Sequence, residues 1–273
     1  MKTTLLLTNF SETARKAITN YLKIFYELDG EDARFILFNA WSQPKAGRFQ
    51  MINLDETLSD FSRQDLKTEL DKIKKSLNEK DIKIELESRK GDLVSLIQDF
   101  AENVPIDLVV MGTKGSSIWH EVLVGSTTSR VVRLIDTPVL VIPELVDFKR
   151  PDKIVFASDL NECKKEEDFK RLTDIVRFFQ SEFLILHIYE EEKPDVEYFE
   201  SCMENYLSGI NYSFFYVQNV DIAQGITSFT KNMGAGLLAM IEKEGNLLSK
   251  LFRHSVTNQL TLSAQHPLLI MHE

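Results

Sequence analysis

The sequence predicts an α/β fold made of two tandem doubly wound domains, each with a five-stranded parallel sheet flanked by helices. Two observations indicate this fold. Short apolar runs alternate with longer amphipathic stretches, which is typical of parallel strands connected by helices. The pattern of the first half also recurs in the second half, and 273 residues are enough for two domains of this kind.

Five apolar runs are the strand candidates of the first half. Four of them are continuous, so we expect those strands to be covered on both faces of the sheet. The run at 83–87 alternates between apolar and polar residues and therefore indicates an edge or half-exposed strand. The candidate strands are 4–8, 34–41, 83–87, 107–111 and 139–142.

Four amphipathic stretches between these runs are the helix candidates. The first opens on Ser11 and Glu12, which are favourable in a first helical turn, and the third and fourth end just before Pro105 and before Thr137-Pro138. The predicted helices are 11–28, 61–77, 93–104 and 126–135. Together with the strands they give the order β-α-β-α-β-α-β-α-β of a doubly wound domain.

Matching segments show that the second half repeats the first. Residues 126–128 and 137–142 match residues 255–257 and 266–271 at a constant offset of 129. Residues 7–12 match residues 157–162 at an offset of 150. The difference of about 21 residues is placed mostly between 189 and 210, opposite the longer stretch 42–81. The charged, proline-containing segment 148–152 divides the chain into domains 1–148 and 149–273.

Composition argues against several partners and sites. The net charge of −10 makes nucleic acid an unfavourable partner, because an acidic surface repels phosphate backbones. The two cysteines are Cys163 and Cys202, which have no ligand-like spacing and fit a reducing compartment. No apolar stretch reaches the length of a membrane span or a signal peptide, so the cytoplasm is expected. The five histidines form no metal-binding pair, and His187 is expected to pack within a strand.

A glycine-rich segment carries the only pattern with a chemical meaning. Gly112, Gly115 and Gly125-Ser126 follow the spacing G-x2-G-x9-G-S, between an apolar strand and a helix. Glycine lets backbone N–H groups approach a phosphate, and a helix N-terminus adds unpaired N–H groups and a positive dipole end. The alternative, which the residues alone leave open, is that these glycines only cap a strand and start a helix.

The first half resembles the universal stress protein family, and the second half resembles it more faintly. The resemblance rests on the segments 6–12, 35–41 and 137–143 and on the glycine loop 112–126, whose spacing ATP-binding members share. It implies that the two domains pair through their last strands, near 139–142 and 268–271. Whether two tandem chains then form a homodimer is left undecided.

The resemblance also implies an adenine nucleotide at the tips of the first and fourth strands: ATP, ADP or AMP, with or without Mg²⁺. It places adenine and ribose near Asn9, Phe10, Ala40 and Met111. It places the phosphates on Gly112, Gly115, Gly125, Ser126 and Thr127, and Lys114 either on a phosphate or in solvent. Asn9 stands where the family usually has aspartate, and an asparagine can hydrogen-bond a base or ribose but brings no charge.

The second half departs from this loop. At the offset of 129 its three glycines are replaced by Ile241, Glu244 and His254, which add bulk or a repelling carboxylate. We therefore expect only the first domain to hold ATP. Three functions stay open: a nucleotide-binding regulatory protein of the stress-response type, a slow ATPase or nucleotidyl-transfer relative, and a non-binding tandem scaffold. No general base or other catalytic residue is obvious beside the loop, which favours the first. Protein partners are not predicted.

Overall fold

The structure is a computed structural model that describes residues 3–28, 33–42, 54–78, 82–114, 127–160, 166–242 and 266–272. Within the first half, strands and helices alternate in the predicted order. The elements are β1 (Thr3–Leu7), α1 (Glu12–Glu27), β2 (Arg34–Trp41), α2 (Leu54–Ser76), β3 (Ile84–Lys90), α3 (Leu93–Asn103), β4 (Leu108–Thr113), α4 (Thr127–Leu134) and β5 (Val139–Pro143).

The second half repeats this alternation in a shorter form. Its described elements are β6 (Lys153–Ala157), α5 (Glu166–Phe179), β7 (Glu182–Tyr189), α6 (Glu197–Glu204), β8 (Tyr212–Gln218), α7 (Ile222–Asn232), β9 (Leu237–Glu242) and β10 (Leu268–His272). Between β7 and β8 lie 22 residues, whereas 42 lie between β2 and β3. The α6 helix has 8 residues where α2 has 23. The shortening is therefore found where the sequence places it.

The described strands form one ten-stranded sheet in the order β3-β2-β1-β4-β5-β10-β9-β6-β7-β8. Neighbouring strands are parallel within each half. At the centre, β5 and β10 pair antiparallel, with Leu269 opposite Leu140. The two halves are thus related by an approximate two-fold axis between their last strands. The predicted pairing is confirmed, and it covers two apolar strand edges that would otherwise be exposed.

Helices cover both faces of the sheet, and each apolar core runs through both halves. One core includes buried residues of α1, α2, α5 and α6, and the other includes residues of α3, α4 and α7. Across the junction, the ring of Phe25 on α1 lies 5.4 Å from that of Phe178 on α5. Phe148, in the linker after β5, lies 6.4 Å from Phe179. The halves therefore share packed side chains as well as a strand pairing.

Two element boundaries differ from the sequence prediction by three residues or more. The α2 helix begins at Leu54, seven residues before the predicted start at residue 61. The β3 strand continues past Glu87 to Lys90, because its polar end pairs with β2 as far as Trp41. As expected for an edge strand, β3 is half-exposed along most of its length.

Candidate functional site

A tight turn connects β1 to α1 at the edge of the sheet where parallel strands end. The Thr8 N–H donates to the Phe38 carbonyl at 3.0 Å, which continues the pairing of β1 with β2. Phe10 adopts a positive φ of 63°, and its N–H donates to Thr8 Oγ1 at 3.0 Å. Asn9 Oδ1 accepts from the Ser11 N–H at 3.2 Å, and Ser11 caps α1. Asn9 is thereby held exposed at the start of the helix.

The second half builds the same turn from different residues. The Ser158 N–H donates to the Leu186 carbonyl at 2.8 Å. Leu160 has a φ of 66°, and its N–H donates to Ser158 Oγ at 2.9 Å. Asp159 therefore occupies the place of Asn9. The repeat that the sequence predicts at an offset of 150 extends to the hydrogen bonds of this turn.

A chain of buried polar side chains supports the turn in the first half. Asn39 Nδ2 donates to the Thr8 carbonyl at 2.8 Å, and Asn39 Oδ1 accepts from Ser62 Oγ at 3.0 Å. Ser62 and Ser88 are 2.7 Å apart. Because the single hydroxyl proton of Ser62 goes to Asn39, Ser88 must be the donor to Ser62. The chain ties the ends of β1, β2 and β3 to α2.

A cleft of about 490 Å³ opens beside this turn, at the carboxyl ends of β1, β2 and β4. Its volume lies within the range of small-molecule sites, roughly 300–1,000 Å³. Five of the residues predicted for the nucleotide line it together, because parallel strands end at the same edge of the sheet. These residues are Asn9, Ala40, Met111, Gly112 and Thr127.

Two of the other predicted site residues, Phe10 and Lys114, do not line the cleft. The half-buried Phe10 packs against the core cluster under α1 and α2 and does not line the cleft. Lys114 is exposed and does not line it either. Gly115, Gly125 and Ser126 lie outside the described residues, as do Glu244 and His254 of the second half.

Sequence reasoning missed several residues that line the cleft. Trp41 lines it together with residues at the start of α3 and in the first turn of α4. The additional lining residues include Ser42, Gly91, Asp92, Thr128 and Arg130. A local signal existed for Asp92, since an aspartate after a strand and a glycine, three residues before Ser95, is typical of a helix cap.

Asp92 and Arg130 close one side of the cleft as a bidentate ion pair. Arg130 Nη1 and Nη2 donate to the two carboxylate oxygens of Asp92 at 2.7 and 3.0 Å. Asp92 also caps α3 by accepting from the Ser95 N–H. The guanidinium of Arg130, with a smaller contribution from the cap, holds the pKa of Asp92 below its usual range. The carboxylate is therefore ionised near neutral pH and tied to a cation, which makes it a poor proton acceptor.

Gly112 has a packing role that is independent of any ligand. A Cβ at this position would lie 2.6 Å from the Thr13 carbonyl oxygen and 3.1 Å from Ala14 Cα, so the end of β4 approaches the backbone of α1 too closely for a side chain. In the second half this position is Ile241, whose side chain is buried in the core. Glycine at 112 is thus required by the closeness of α1 and β4.

The variant Gly112→Ala is expected to lower the free energy of unfolding by about 1.5 kcal/mol, because the backbone of α1 must move to accept the methyl group. Urea denaturation followed by circular dichroism measures this loss. The control is Gly236→Ala, whose Cβ would lie 3.1 Å from Pro151 atoms and needs a smaller shift. An equal loss in both variants would contradict the close approach assigned to Gly112.

His187 takes the place of Asn39 in the second half. Its Nδ1 lies 2.9 Å from the Ser158 carbonyl, so Nδ1 must carry the hydrogen. Burial lowers the pKa of His187, against smaller opposing effects of this hydrogen bond and of Asp159. The folded protein therefore resists protonation of His187, whereas the unfolded chain accepts a proton below its ordinary pKa of about 6.5. This contribution to stability is present above the ordinary pKa and is lost as pH falls towards the lowered one.

The variant His187→Asn is expected to flatten the dependence of stability on acid pH. Asparagine reproduces the hydrogen bond that Asn39 makes in the first half and does not titrate. Thermal unfolding of both proteins from pH 7.5 to pH 5 measures the difference. Some slope persists in the variant, because burial also lowers the pKa of His266. Identical slopes would show that His187 does not contribute.

Two further features bear on the kind of site. Among the described residues, no group of three or more histidine, cysteine, aspartate or glutamate side chains could hold a metal ion. Within the same residues, no helix has both the length and the apolar character needed to cross a bilayer.

A larger groove of about 750 Å³ lies at the opposite ends of β2 and β3, where Arg34 is paired with Glu85. Ligands of open parallel sheets bind at the carboxyl ends, so the smaller cleft is the better candidate.

Comparison with known proteins gives a consistent result. The model of the universal stress protein family matches residues 1–143. A universal stress protein of Methanocaldococcus jannaschii is 35% identical over 98 residues, which are 36% of this chain and 54% of that protein. A second one from the same organism is 27% identical over 147 residues, 50% of this chain and 90% of that protein. The chain thus spans about half the length of the first relative and most of the second.

The fold is also found among solved structures. A universal stress protein from Archaeoglobus fulgidus matches with a TM-score of 0.72 and 19% identity, covering 99% of this chain and 96% of that one. At this level of identity the likeness concerns the fold alone. It extends over both halves of this chain.

Proposed function

Because this chain belongs to the universal stress protein family, we propose that it is a regulatory protein that binds an adenine nucleotide in the cleft of its first half only. The observation that carries the proposal is that Asn9, Ala40, Met111, Gly112 and Thr127 line one cleft of about 490 Å³. The first residue of α4 lies at this cleft, and the positive end of a helix dipole favours a phosphate. The nucleotide is ATP, ADP or AMP, with or without Mg²⁺.

The second half is less suited to a nucleotide. Ile188 stands where the first half has Ala40, and its side chain packs so closely on α7 that a Cβ at Gly225 would lie 3.0 Å from Ile188 Cδ1. Ile241 stands in the place of Gly112 and is buried. Asn219 stands in the place of Gly91, because its N–H donates to the Tyr189 carbonyl as the Gly91 N–H donates to the Trp41 carbonyl. Three small residues of the first cleft are therefore replaced by larger side chains, which supports binding by the first half alone.

The proposed activity is binding of the nucleotide and not its hydrolysis. Among the described residues that line the cleft, the carboxylate is Asp92, and Arg130 occupies both of its oxygens. A hydrolase needs a group that accepts a proton from the attacking water or orients it, and a carboxylate held in this way is unsuited to that task. This favours a nucleotide-sensing role over a slow ATPase.

The first experiment is to purify the protein gently, denature it and identify any released nucleotide by chromatography and mass spectrometry. We expect one adenine nucleotide per chain, and loss of it in Gly115→Glu, which places a negative charge in the glycine loop. The control Ser208→Glu adds the same charge at an exposed position in a turn of the second half. Absence of nucleotide, and no binding when ATP is added back, would overturn the proposal in favour of the tandem scaffold. Release of phosphate from added ATP would favour the ATPase.

A further inference from the structure

The side chains of Asp92 and Arg130 are the charged groups among the described residues that line the cleft. The other described lining residues are neutral, although some of them, such as Asn9, Thr127 and Thr128, are polar. Asp92 and Arg130 cancel each other's formal charge, so the described wall of the cleft is neutral as a whole. A nucleotide brings negative phosphates to this wall, and Arg130 is the described cation that can meet them.

Arg130 is accessible to a ligand in the cleft. Its side chain is 44% exposed, and the side chain of Asp92 is 41% exposed. A guanidinium has five N–H donors in one plane, and Asp92 accepts from Nη1 and Nη2 at 2.7 and 3.0 Å. The ion pair uses one hydrogen of each of these nitrogens. Three N–H groups of Arg130 therefore have no acceptor among the described residues and can donate to a ligand.

Arg130 lies one turn after the start of α4. Thr127 and Arg130 are three residues apart, so they lie on the same side of the helix, and both line the cleft. Because helical side chains lean towards the N-terminus of their helix, the long side chain of Arg130 can span the roughly 4.5 Å of rise between these residues. The N-terminal turn of a helix also favours phosphates. The backbone of this turn and the guanidinium therefore favour a phosphate in the same part of the cleft.

We propose that Arg130 is a specificity-determining residue of the cleft, whose guanidinium donates to the phosphates of the nucleotide and selects the nucleotide over the uncharged nucleoside. This inference rests on the nucleotide binding proposed above and adds the group that recognises the phosphates. Guanidinium and phosphate match in a bidentate geometry, so Arg130 can bind a phosphate while Asp92 holds its other side. The carboxylate of Asp92 then lies near the phosphates and opposes their binding.

Calorimetry with ATP and with adenosine on the variant Arg130→Gln tests the contact. Glutamine removes the charge and keeps a polar side chain, so the affinity for ATP should fall on the order of tenfold. Adenosine has no phosphate and should bind the variant and the unmodified chain alike. Because exposed ion pairs contribute little to stability, the variant should stay folded, which circular dichroism checks.

The matched control is Arg133→Gln. It removes the same charge from the same helix, at an exposed residue that does not line the cleft. Water and salt screen a charge at this distance, so the affinity for ATP should stay within about twofold of the unmodified chain. Equal losses in the two variants would contradict a direct contact between Arg130 and the phosphates.

The variant Asp92→Asn separates a phosphate contact from a structural role of the ion pair. Asparagine removes the negative charge and still provides an oxygen that caps α3. If Arg130 binds the phosphates, the affinity for ATP should rise on the order of threefold, since the guanidinium remains and a nearby negative charge is gone. If Arg130 only ties α4 to α3, both Asp92→Asn and Arg130→Gln break this tie and should weaken ATP binding alike, which would overturn the proposal.

The outcomes also separate this inference from the proposed function. If ATP binds to the unmodified chain and to Arg130→Gln with equal affinity, the role of Arg130 is wrong and nucleotide binding stands. Equal losses for ATP and for adenosine in Arg130→Gln would show that Arg130 does not act on the phosphates. If neither ATP nor adenosine binds to the unmodified chain, nucleotide binding is wrong, and the role of Arg130 is wrong with it.

Discussion

Replacing Arg15 by methionine is expected to lower the free energy of unfolding by about 3–4 kcal/mol. Arg15 Nε and Nη2 donate to the two carboxylate oxygens of Glu69 at 3.0 and 2.8 Å. The side chain of Glu69 is only 1% exposed, so removal of its partner leaves a charge that water cannot reach. Chemical denaturation at neutral pH, followed by circular dichroism and fluorescence, measures the loss.

Two controls separate the loss of stability caused by the unpaired Glu69 carboxylate from the loss that any substitution could cause. The double variant Arg15→Met/Glu69→Met removes both charges and is expected to recover most of the stability, because apolar side chains can replace a buried pair. The variant Arg34→Met breaks the same bidentate geometry with Glu85 at the surface and should cost less than about 1 kcal/mol. Similar losses in Arg15→Met and Arg34→Met would contradict the importance of burial.

The ion pair also bears on the cleft. Arg15 Nη2 lies 3.5 Å from the Phe10 carbonyl, so the guanidinium holds the turn after β1 while it joins α1 to α2. The same turn in the second half closes with the Leu160 N–H on Ser158 Oγ. Its geometry therefore depends mainly on the local hydrogen bond from residue 10 or 160, and Arg15 adds a link from the turn to the α2 helix.

Much of the fold could be predicted from the sequence, because strands buried on both faces of a parallel sheet consist of continuous apolar residues. Edge strands contain polar residues and are harder to recognise. The resemblance to the universal stress protein family implied that the strands at 139–142 and 268–271 meet at the centre of the sheet, and the structure pairs them there. The start of α2 at Leu54 was not predicted, because the amphipathic pattern recognised in the sequence begins at residue 61. The polar end of β3 is ordered by its pairing with Trp41, which is a tertiary contact.

The candidate site was only partly predictable, for a related reason. Asn9, Ala40 and Met111 were placed in the site by the family resemblance, and the structure brings them to one cleft because strand ends converge at one edge of a parallel sheet. Arg130 could not be predicted, because its contact with Asp92 depends on how α3 and α4 lie beside each other, 38 residues apart in the chain. Phe10 was placed in the site by resemblance, and the structure instead turns its ring towards the core.

Gly112 shows why one pattern can have two causes. A glycine after a buried strand is expected both where backbone N–H groups approach a phosphate and where two backbones approach each other. The structure demonstrates the second cause, through the distance of 2.6 Å between a Cβ at 112 and the Thr13 carbonyl oxygen. The glycine is therefore needed for the fold in any case, and evidence for a phosphate must come from a position whose backbone tolerates change.

Thr127 is such a position, and Thr127→Asp is expected to weaken the binding of ATP on the order of 100-fold without unfolding the protein. Thr127 is the first residue of α4 and is exposed at the cleft. A negative charge in a first helical turn stabilises the helix by about 0.3–1 kcal/mol, so the variant should be at least as stable as the parent. The same charge within about 4 Å of a phosphate is repelled by several kcal/mol before screening. Calorimetry with ATP measures the change.

The variant Thr127→Asn is the matched control, because asparagine has the shape of aspartate but carries no charge. Its affinity for ATP should stay within about threefold of the parent, and adenosine should bind all three proteins alike, since the added charge acts on phosphate. The loss in Thr127→Asp should also shrink as salt is added, as a Coulombic effect does. Equal losses in both variants, or a loss for adenosine, would mean that α4 does not face the phosphates. The nucleotide would then lie elsewhere in the cleft, and the charge at its phosphate end would have to be balanced by other groups.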